Sequence, residues 1–348
     1  IVTGNHFEKK YGSTFKNIKK DGFNIFRSIK LDFKKDNIEN VILNIGKILT
    51  KFNNILLKQK PDFIIILGDR YEILPIAINS VFHKIPICHL NGGEHTSNSF
   101  DDYIRNCLTK LSYYHFPSNN FYKKNIIQMG ENPKRVFMKG GLSQDQVKNF
   151  DLIDKKKIQK SLKFNFNKRN VLVTYHPETI DIKNNKKNLK ILLDSLLSFK
   201  EINLFFTYPN SDPQSEMIIK EVKRRKQKVN KFRKIYVFKT LGRSKYLSLM
   251  KYSDFVIGNS SSGILEAPLM NKISINIGDR QQGRIKHNTV IDCKLNQKEI
   301  KSAINSIFKK KIRIKKKNIQ KVSTAKKIVK TLELLPIPKN IKKDFYNI

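Results

Sequence analysis

The stretch FVIGNSSSGILEAP, residues 255–268, decides the fold of this chain. It predicts a short buried strand, a turn of small hydroxyl residues and the first turn of a helix. The N-terminus of such a helix presents free backbone N–H groups, which either bind a phosphate or are capped by a serine side chain. Both interpretations of Ser260 and Ser261 are open at this point. After one more apolar run comes GDRQQGR, residues 278–284, whose two arginines favour phosphate binding.

Similar apolar, β-branched runs recur along the chain, each followed by polar or glycine residues and then by a helical pattern. Near-continuous apolar strands that alternate with helices are typical of parallel sheets covered on both faces. The sequence therefore predicts an α/β protein with two doubly wound, Rossmann-like domains that face each other across a cleft. The predicted strands are 63–67, 85–90, 114–116, 171–174, 203–207, 235–238, 255–257 and 273–277.

The length of 348 residues also favours two domains of about 150 residues each. Apolar strand signals vanish between Gln144 and Arg169, where we expect a linker. The predicted domains are residues 1–150 and 168–330. Residues 331–348 are expected to form a tail that packs back on the first domain.

The charge of the chain is extreme, because 69 Lys and Arg residues stand against 29 Asp and Glu residues and give +40. Such a balance raises the hypothesis of nucleic-acid binding. The lysines are spread through every segment, however, so we expect no nucleic-acid partner. Two basic runs, 220–228 and 309–317, are interpreted as solvated helix faces, with contact to an anionic surface as the alternative.

No segment is long and apolar enough to predict a membrane span, and no signal peptide opens the sequence. Cys88, Cys107 and Cys293 are too scattered for a disulfide framework or a zinc cluster. They are typical of core residues in a reducing compartment. We therefore expect a cytoplasmic protein without membrane association.

Polar residues collect at the carboxyl ends of five predicted strands, which is where open α/β sheets bind their ligands. This recurrence predicts a functional site. The residues at these ends are Gly68-Asp69-Arg70, Asn91 to His95, Tyr175 to Glu178, Tyr208-Pro209-Asn210 and the serine turn after residue 257.

Each candidate also has a purely structural interpretation. Asp69 could cap the helix that follows it, and Asp101 with Asp102 could form an N-cap pair. His176 either donates to a pyrophosphate or is a buried structural histidine. Glu94 follows two glycines, which allow the backbone to pass close to a ligand while the carboxylate projects toward it. The prediction therefore depends on the whole set.

Other chemistries fit the sequence less well. His89, His95 and Glu94 could be imagined as metal ligands, but a strand residue and a loop residue point in different directions, so we predict no metal site. The sequence contains no G-x-x-x-x-G-K-[ST] phosphate loop, no G-x-G-x-x-G dinucleotide motif and no G-x-S-x-G nucleophile elbow.

Together these motifs resemble those of the hydrolysing UDP-N-acetylglucosamine 2-epimerases, which share the two-domain architecture of GT-B glycosyltransferases. The resemblance extends over nearly the whole chain, and the serine turn followed by GDRQ resembles the hydrolysing branch. The motifs that carry it are Gly68 to Glu72, His89 to Glu94, Asp101 to Arg105, Thr109 to Ser112, His176 to Thr179, Gly258 to Gly263 and Gly278 to Arg284.

The resemblance implies a reaction on a UDP-sugar substrate. UDP leaves C1 in an anti-elimination that also removes the C2 proton and gives a 2-acetamidoglucal. Water then adds back with inversion at C2 and releases free N-acetylmannosamine for the synthesis of sialic-acid-type sugars. This chemistry needs a positioned carboxylate and N–H dipoles or cations for the leaving group, and no cofactor is implied.

Two alternatives remain open. The same chemistry could act on a UDP-2,4-diacetamido-2,4,6-trideoxyhexose for legionaminic acid synthesis, or the chain could be a GT-B glycosyltransferase with a UDP-sugar donor. By resemblance we also expect a homo-oligomer, either a dimer or a tetramer. Relatives begin with a βα unit that contacts the nucleotide, whereas Ile1 to Gly4 matches their second strand. We therefore expect weak nucleotide binding if the chain begins at Ile1.

The resemblance also assigns site residues. Asp69, Glu94 and Asp101 are the candidate acid and base carboxylates, and His176 assists departure of the diphosphate. Some relatives carry a catalytic Glu at the position of Asn91, so Glu94 takes that role here. The implied UDP-binding residues are Arg70, Asn210, Ser260, Ser261, Glu266 and Arg280.

Overall fold

The structure, a computed structural model, describes residues 1–97, 99–230, 232–309 and 322–348. It is an α/β protein with two parallel sheets, which confirms the predicted class. The strands are β1 (Ile64–Leu67), β2 (Ile87–Leu90), β3 (Tyr114–Phe116), β4 (Arg169–Thr174), β5 (Ile202–Thr207), β6 (Arg233–Phe238), β7 (Phe255–Gly258), β8 (Ser274–Ile277) and β9 (Val290–Cys293).

All eight predicted strands are present, and β9 is an additional one. The helices are α1 (Phe15–Lys20), α2 (Ile38–Leu56), α3 (Leu74–Phe82), α4 (Phe100–Leu111), α5 (Asn120–Gln128), α6 (Leu142–Lys148), α7 (Lys155–Leu162), α8 (Asn185–Leu197), α9 (Ser215–Lys228), α10 (Gly242–Tyr252), α11 (Ser262–Leu269), α12 (Gln297–Phe308) and α13 (Thr324–Leu334).

Contacts between residues divide the chain into two compact units. Unit 1 contains Ile1–Phe7, Thr14–Asp145 and Gln320–Ile348, and unit 2 contains Glu8–Ser13 and Gln146–Ile319. The segment predicted as a linker holds α6 and α7. Apolar side chains of this segment, among them Ile158 and Phe164, are buried in the core of unit 2.

Unit 1 is built on a three-stranded sheet with the order β1-β2-β3. Helix α2 packs on α3, and its Ile48, Phe52 and Leu56, spaced four residues apart, form a buried face. Strand β1 is an edge of the sheet, and its Ile65 and Leu67 are 56% and 51% exposed. These two residues belong to the wall of an apolar cavity of about 750 Å³.

The C-terminal segment is bound to the rest of unit 1 by hydrogen bonds. The hydroxyl of Tyr114 donates to the carbonyl oxygen of Pro336 at 2.9 Å. The backbone N–H of Tyr346 donates to the carbonyl oxygen of Gly130, also at 2.9 Å. Because both ends of the segment are bonded in this way, it lies along the β3 and α5 region of the unit.

Unit 2 contains a six-stranded parallel sheet with the order β6-β5-β4-β7-β8-β9. Val171 and Val173 of β4 face one apolar core, and Leu172 faces the other, so the sheet is covered on both sides. The chain runs outward from β4 to β6 and then returns to β7 beside β4. The reversal makes the carboxyl ends of β4 and β7 a topological switch point, where sheets of this kind bind ligands.

The structure also bears on the basic runs. Residues 220–228 lie on α9, whose Ile218 and Val222 are buried, and most basic residues of the run are exposed. The run is therefore a helix face as predicted, and its contact with an anionic surface stays an open alternative. Most of the run 309–317 lies outside the described residues.

In the part of the chain that the structure describes, no helix is long and apolar enough to cross a membrane.

Candidate active site

In unit 1 a buried arginine joins the acidic residues at the ends of β1 and β2. The side chain of Arg105 on α4 is 1% exposed, and its Nε donates to Oδ2 of Asp69 at 2.9 Å. Its Nη1 donates to Oδ1 of Asp102 at 3.0 Å and to the backbone oxygen of Glu94 at 2.9 Å. One guanidinium therefore fixes residues from three separate segments of the chain.

The charge on Arg105 is stabilised by its surroundings. Burial alone would lower its pKa, but the Asp69, Glu94 and Asp102 charges outweigh burial and raise the pKa. The group remains a cation at all ordinary pH values. It can therefore hold the Asp69 carboxylate in one orientation.

Neither Asp69 nor the pair of Asp101 and Asp102 is the N-cap residue of the helix that it was expected to cap. Helix α3 begins at Leu74 with Ile73 as its N-cap, so Asp69 does not cap it. The N-cap of α4 is Ser99, whose hydroxyl also donates to Asp101 at 2.9 Å. The carboxylate bonded to Arg105 on this helix is that of Asp102 and not that of Asp101.

The two glycines before Glu94 serve close packing within unit 1. A Cβ on Gly93, whose φ is +76°, would lie 2.4 Å from the carbonyl oxygen of Tyr122, and one on Gly92 would lie 2.9 Å from Nδ1 of His89. The two glycines therefore allow the backbone to approach α5 and β2 closely, and its approach to a ligand stays a prediction. Glu94 itself is buried, and Ser118 lies 3.5 Å from its Oε1.

His89 and His95 have different partners. Nε2 of His89 lies 2.8 Å from the carbonyl oxygen of Gly68, so this histidine connects the ends of β1 and β2. Burial lowers the pKa of His89 to about 4, so its side chain is neutral. Nδ1 of His95 lies 3.1 Å from Asp102. Within the described ranges, no group of three or more His, Cys, Asp and Glu residues could hold a metal ion.

Arg70 is the predicted UDP-binding residue that belongs to unit 1. Its Nε donates to Oε2 of Glu72 at 3.2 Å, and its Nη2 donates to Oε1 at 3.3 Å. This paired geometry fixes the plane of the guanidinium. The other predicted UDP-binding residues belong to unit 2.

In unit 2, His176 follows β4 and is held by Asn259, which follows β7. The backbone N–H of His176 donates to Oδ1 of Asn259 at 2.7 Å, and Nδ2 of Asn259 donates to the oxygen of His176 at 2.9 Å. Nδ1 of His176 accepts from the backbone N–H of Asn210 at 3.2 Å. The neutral imidazole therefore carries its proton on Nε2, which can donate to an anionic oxygen.

The serine turn adjoins the same strand end. Gly258 has φ +143°, and a Cβ there would lie 2.0 Å from the oxygen of Thr174, so β7 and β4 approach too closely for a side chain. Ser261 is the N-cap of α11 but makes no side-chain cap bond. The hydroxyl of Ser260 accepts from the N–H of Ser262 at 3.3 Å. The structure thus shows a partial capping role for Ser260.

A cavity of about 430 Å³ opens at this switch point. Its wall contains His176, Asn210, Ser260 and Glu266, all of them predicted site residues. Tyr246 also lines it and lies 2.5 Å from the hydroxyl of Ser262. Burial raises the pKa of Tyr246 to about 12, so the phenol stays protonated.

Arg280 belongs to the same arrangement. It is buried, and its Nη1 donates to the carbonyl oxygen of Asn259 at 3.2 Å, next to Ser260. Gln281 donates to the same oxygen at 3.0 Å. The predicted residues of unit 2 are therefore brought together around the ends of β4 and β7.

Sequence reasoning gave no role to three residues of these arrangements. Arg105 lies three residues after Asp102 on one face of a helix, a spacing that could have indicated the pair. Asn259 lies inside the quoted serine turn, yet the bonds of its side chain depend on the neighbouring strand. No sequence signal indicates Tyr246.

The sequence and the fold are similar to those of known proteins. The sequence profile of UDP-N-acetylglucosamine 2-epimerase matches residues 1–333. The chain belongs to the UDP-N-acetylglucosamine 2-epimerase family. The predicted resemblance is thereby confirmed, and the chain is an enzyme of the UDP-sugar 2-epimerase type.

Three relatives of the chain have more specific names. The chain is 40% identical over 296 residues to a GDP/UDP-N,N'-diacetylbacillosamine 2-epimerase (hydrolyzing) of Campylobacter jejuni, covering 85% of this chain and 76% of the relative. It is 35% identical to polysialic acid biosynthesis protein P7 of Escherichia coli, with coverage of 87% and 77%. It is 31% identical to a UDP-N,N'-diacetylbacillosamine 2-epimerase (hydrolyzing) of Legionella pneumophila, with coverage of 84% and 76%.

Solved structures of epimerases share the fold. The UDP-GlcNAc 2-epimerase of Neisseria meningitidis, bound to UDP-GlcNAc, has a TM-score of 0.76 at 16% identity and covers 96% of this chain and 91% of its own. The enzyme of Methanocaldococcus jannaschii, in complex with UDP-GlcNAc and UDP, has a TM-score of 0.73 at 19% identity, with coverage of 91% and 87%. These similarities confirm the GT-B-like α/β fold.

Proposed function

We propose that this family member catalyses hydrolytic 2-epimerisation of a UDP-linked N-acetylated amino sugar, with UDP-N,N'-diacetylbacillosamine as its first candidate substrate. The observation that carries the proposal is the arrangement at the switch point of unit 2, where His176, Asn210, Ser260 and Glu266 line one cavity. The choice of sugar is supported by the names of the Campylobacter and Legionella relatives.

The residues of unit 2 bind UDP and support its departure. Nε2–H of His176 donates to an oxygen of the leaving diphosphate, and the cation of Arg280 offsets the negative charge that develops there. Ser260 and Ser261 supply further donors, and Glu266 accepts from the ribose hydroxyls. Asn210 keeps His176 in the donating tautomer through its backbone N–H.

The residues of unit 1 carry out the proton transfers. Asp69, Glu94 and Asp101 are the proposed acids and bases, and Arg105 orients Asp69. In the first step a carboxylate takes the C2 proton, a C1–C2 double bond forms and the C1–O bond to UDP breaks. In the second step water adds its oxygen to C1, and C2 receives a proton on the opposite face. Arg70 is proposed as a further contact to UDP.

UDP-N-acetylglucosamine is the second candidate substrate. It is supported by 28% identity over 304 residues to the UDP-N-acetylglucosamine 2-epimerase of Neisseria meningitidis, which covers 87% of this chain and 78% of the relative. With this substrate the product would be free N-acetylmannosamine, a precursor of sialic-acid-type sugars. A homo-oligomer is also part of the proposal and can be measured by light scattering after gel filtration.

The substrate can be determined by incubating the chain, without any acceptor, with three nucleotide sugars. These are UDP-N,N'-diacetylbacillosamine, its GDP counterpart and UDP-N-acetylglucosamine. We expect UDP and a free 2-epimerised diacetamido sugar from the first, at a higher kcat/KM than for the other two. Release of UDP only when an acceptor is added, with the sugar transferred to that acceptor, would contradict the proposal and indicate a glycosyltransferase.

A further inference from the structure

Glu178 is a buried carboxyl group outside the catalytic assignments above. The residue is 7% exposed and lies two positions after His176 in the loop that follows β4. Among the described residues, no hydrogen bond to its carboxyl oxygens is found. A mostly buried carboxylate that accepts no hydrogen bond from the protein is stabilised less in its charged form than one that does.

The backbone of Glu178 is fixed in place by Asn185 of α8. Oδ1 of Asn185 accepts from the backbone N–H of Glu178 at 2.8 Å, and Nδ2 of Asn185 donates to the backbone carbonyl oxygen of Glu178 at 3.0 Å. Asn259 makes the same pair of bonds to His176. Two buried asparagines thus fix the backbone of the loop at both residues.

The carboxyl group lies close to the turn after β8. A Cβ on Gly278, whose φ is +69°, would lie 3.3 Å from Oε1 of Glu178. Arg280 follows two residues later and donates to Asn259, whose neighbour Ser260 lines the cavity of unit 2. An anion bound against Arg280 and Ser260 would therefore add negative charge near Glu178.

The charged groups around Glu178 disfavour its ionised form. Burial raises the pKa of Glu178. The negative charges of Asp181 and Asp279 raise this pKa further, whereas the positive charge of Arg280 lowers it. Tyr175 and His176 are titratable residues of the same loop. Burial also raises the pKa of Tyr175, and its hydroxyl finds no hydrogen-bond partner among the described residues.

We infer that Glu178 takes up a proton when a nucleoside diphosphate binds in the cavity of unit 2, so that a neutral carboxylic acid stands beside the bound phosphates. The proton comes from solvent and stays on Glu178, and no covalent bond forms or breaks. Protonation removes the repulsion between two neighbouring anions. It also gives the buried group an O–H donor. The inference rests on the proposed function, in which a nucleoside diphosphate is the leaving group.

Isothermal titration calorimetry with UDP tests this inference on the full chain. Titrations at each pH from 6 to 9, in buffers with different ionisation enthalpies, give the number of protons taken up per UDP bound. We expect the wild type to take up as much as one proton more than Glu178→Gln, because glutamine is neutral at every pH. Relative to the variant, the UDP affinity of the wild type should fall by up to about tenfold per pH unit.

Protons taken up by UDP itself or by His176 contribute equally in the wild type and in Glu178→Gln. The difference in proton uptake between the two proteins therefore reports on Glu178. Glu201→Gln, which removes a half-exposed carboxylate of unit 2, is the matched control and should behave like the wild type. Equal proton uptake by the wild type and Glu178→Gln would overturn the inference. A wild type that binds no UDP at any pH would contradict the proposed function as well.

A second measurement does not depend on whether the variant folds. Infrared difference spectra of the wild type, recorded with and without UDP, should gain the C=O band of a protonated carboxylic acid. The band should be missing from the spectra of Glu178→Gln if thermal melting shows that this variant is folded. A wild-type difference spectrum without the band would overturn the inference.

Discussion

Arg105 shows how one side chain can organise distant residues. The guanidinium has five N–H donors in a rigid plane, and the structure uses them on Asp69, Asp102 and the backbone of Glu94. Asp69 and Arg105 are 36 positions apart, so their pairing depends on how α4 packs on the sheet. The sequence therefore indicated the acidic residues but not the cation that orients them.

Arg105→Lys should lower kcat by about 100-fold or more while the affinity for UDP changes little. Lysine keeps the charge but cannot make the same set of directed hydrogen bonds, so the Asp69 carboxylate loses its orientation. Steady-state kinetics and UDP titration measure the two effects. Arg27→Lys changes an exposed arginine and is the control. An unchanged kcat for Arg105→Lys would contradict the assigned role.

Glu94→Gln should lower kcat by roughly 10² to 10⁴ and leave UDP binding intact. Glutamine has nearly the same size but cannot accept or deliver the proton, and a positioned acid or base typically contributes a factor of this order. Glu39→Gln, at an exposed position on α2, should retain full turnover. Near-normal turnover by Glu94→Gln would rule out its proposed part in the proton transfers.

At the scale of elements, the strands could be predicted because eight of them are near-continuous apolar runs. Strand β9 lacked that signal, since Asp292 interrupts it and lies exposed at an edge of the sheet. An edge strand has one neighbour and tolerates such a residue. Helices α6 and α7 were missed because their segment is rich in lysine, and few apolar side chains such as Ile158 anchor it.

The turn at the end of β7 offers a direct test of the switch point. Gly258→Ala should cost about 3 kcal/mol or more of unfolding free energy, because the new Cβ would lie 2.0 Å from the oxygen of Thr174. Gly263→Ala in α11 is the matched variant, since its Cβ would make an ordinary contact of 3.5 Å with Ser274. Urea unfolding measures both. Equal stability of the two variants would contradict the close approach of β7 and β4.

At the scale of the whole molecule, the C-terminal segment is also held by an ion pair with the buried Glu131. Nζ of Lys343 lies 2.9 Å from Oε1 of Glu131 and donates to the backbone oxygens of Lys110 and Ser112. Burial alone would raise the pKa of Glu131. Hydrogen bonds from His115 and Lys110, together with the charge of Lys343, outweigh burial and lower that pKa to about 2.

Lys343→Met should lower the free energy of unfolding at neutral pH by roughly 1–3 kcal/mol, because Glu131 loses a partner. The ionised Glu131 contributes its stability above the unfolded pKa of about 4.5 and loses it as the pH falls toward 2. The variant should therefore lose less stability than the wild type over this range. Urea unfolding from pH 2 to 7 measures the free energy of unfolding of both proteins.

Lys342→Met changes the exposed neighbouring lysine and is the control, which should match the wild type at every pH. A Lys343→Met variant as stable as this control would contradict the role of the ion pair. The arrangement could not be predicted from sequence, because Lys343 is one of many lysines and its partners lie more than 200 positions earlier in the chain.

Hydrolytic 2-epimerisation is tested most directly by a proton NMR time course in D₂O with UDP-N,N'-diacetylbacillosamine. Elimination removes the C2 proton, and hydration returns a solvent deuteron to that carbon. We predict free sugar with deuterium at C2, inverted configuration at that carbon and an equal amount of UDP. Free sugar that keeps its original proton and configuration at C2 would contradict the claim, because it would result from simple hydrolysis.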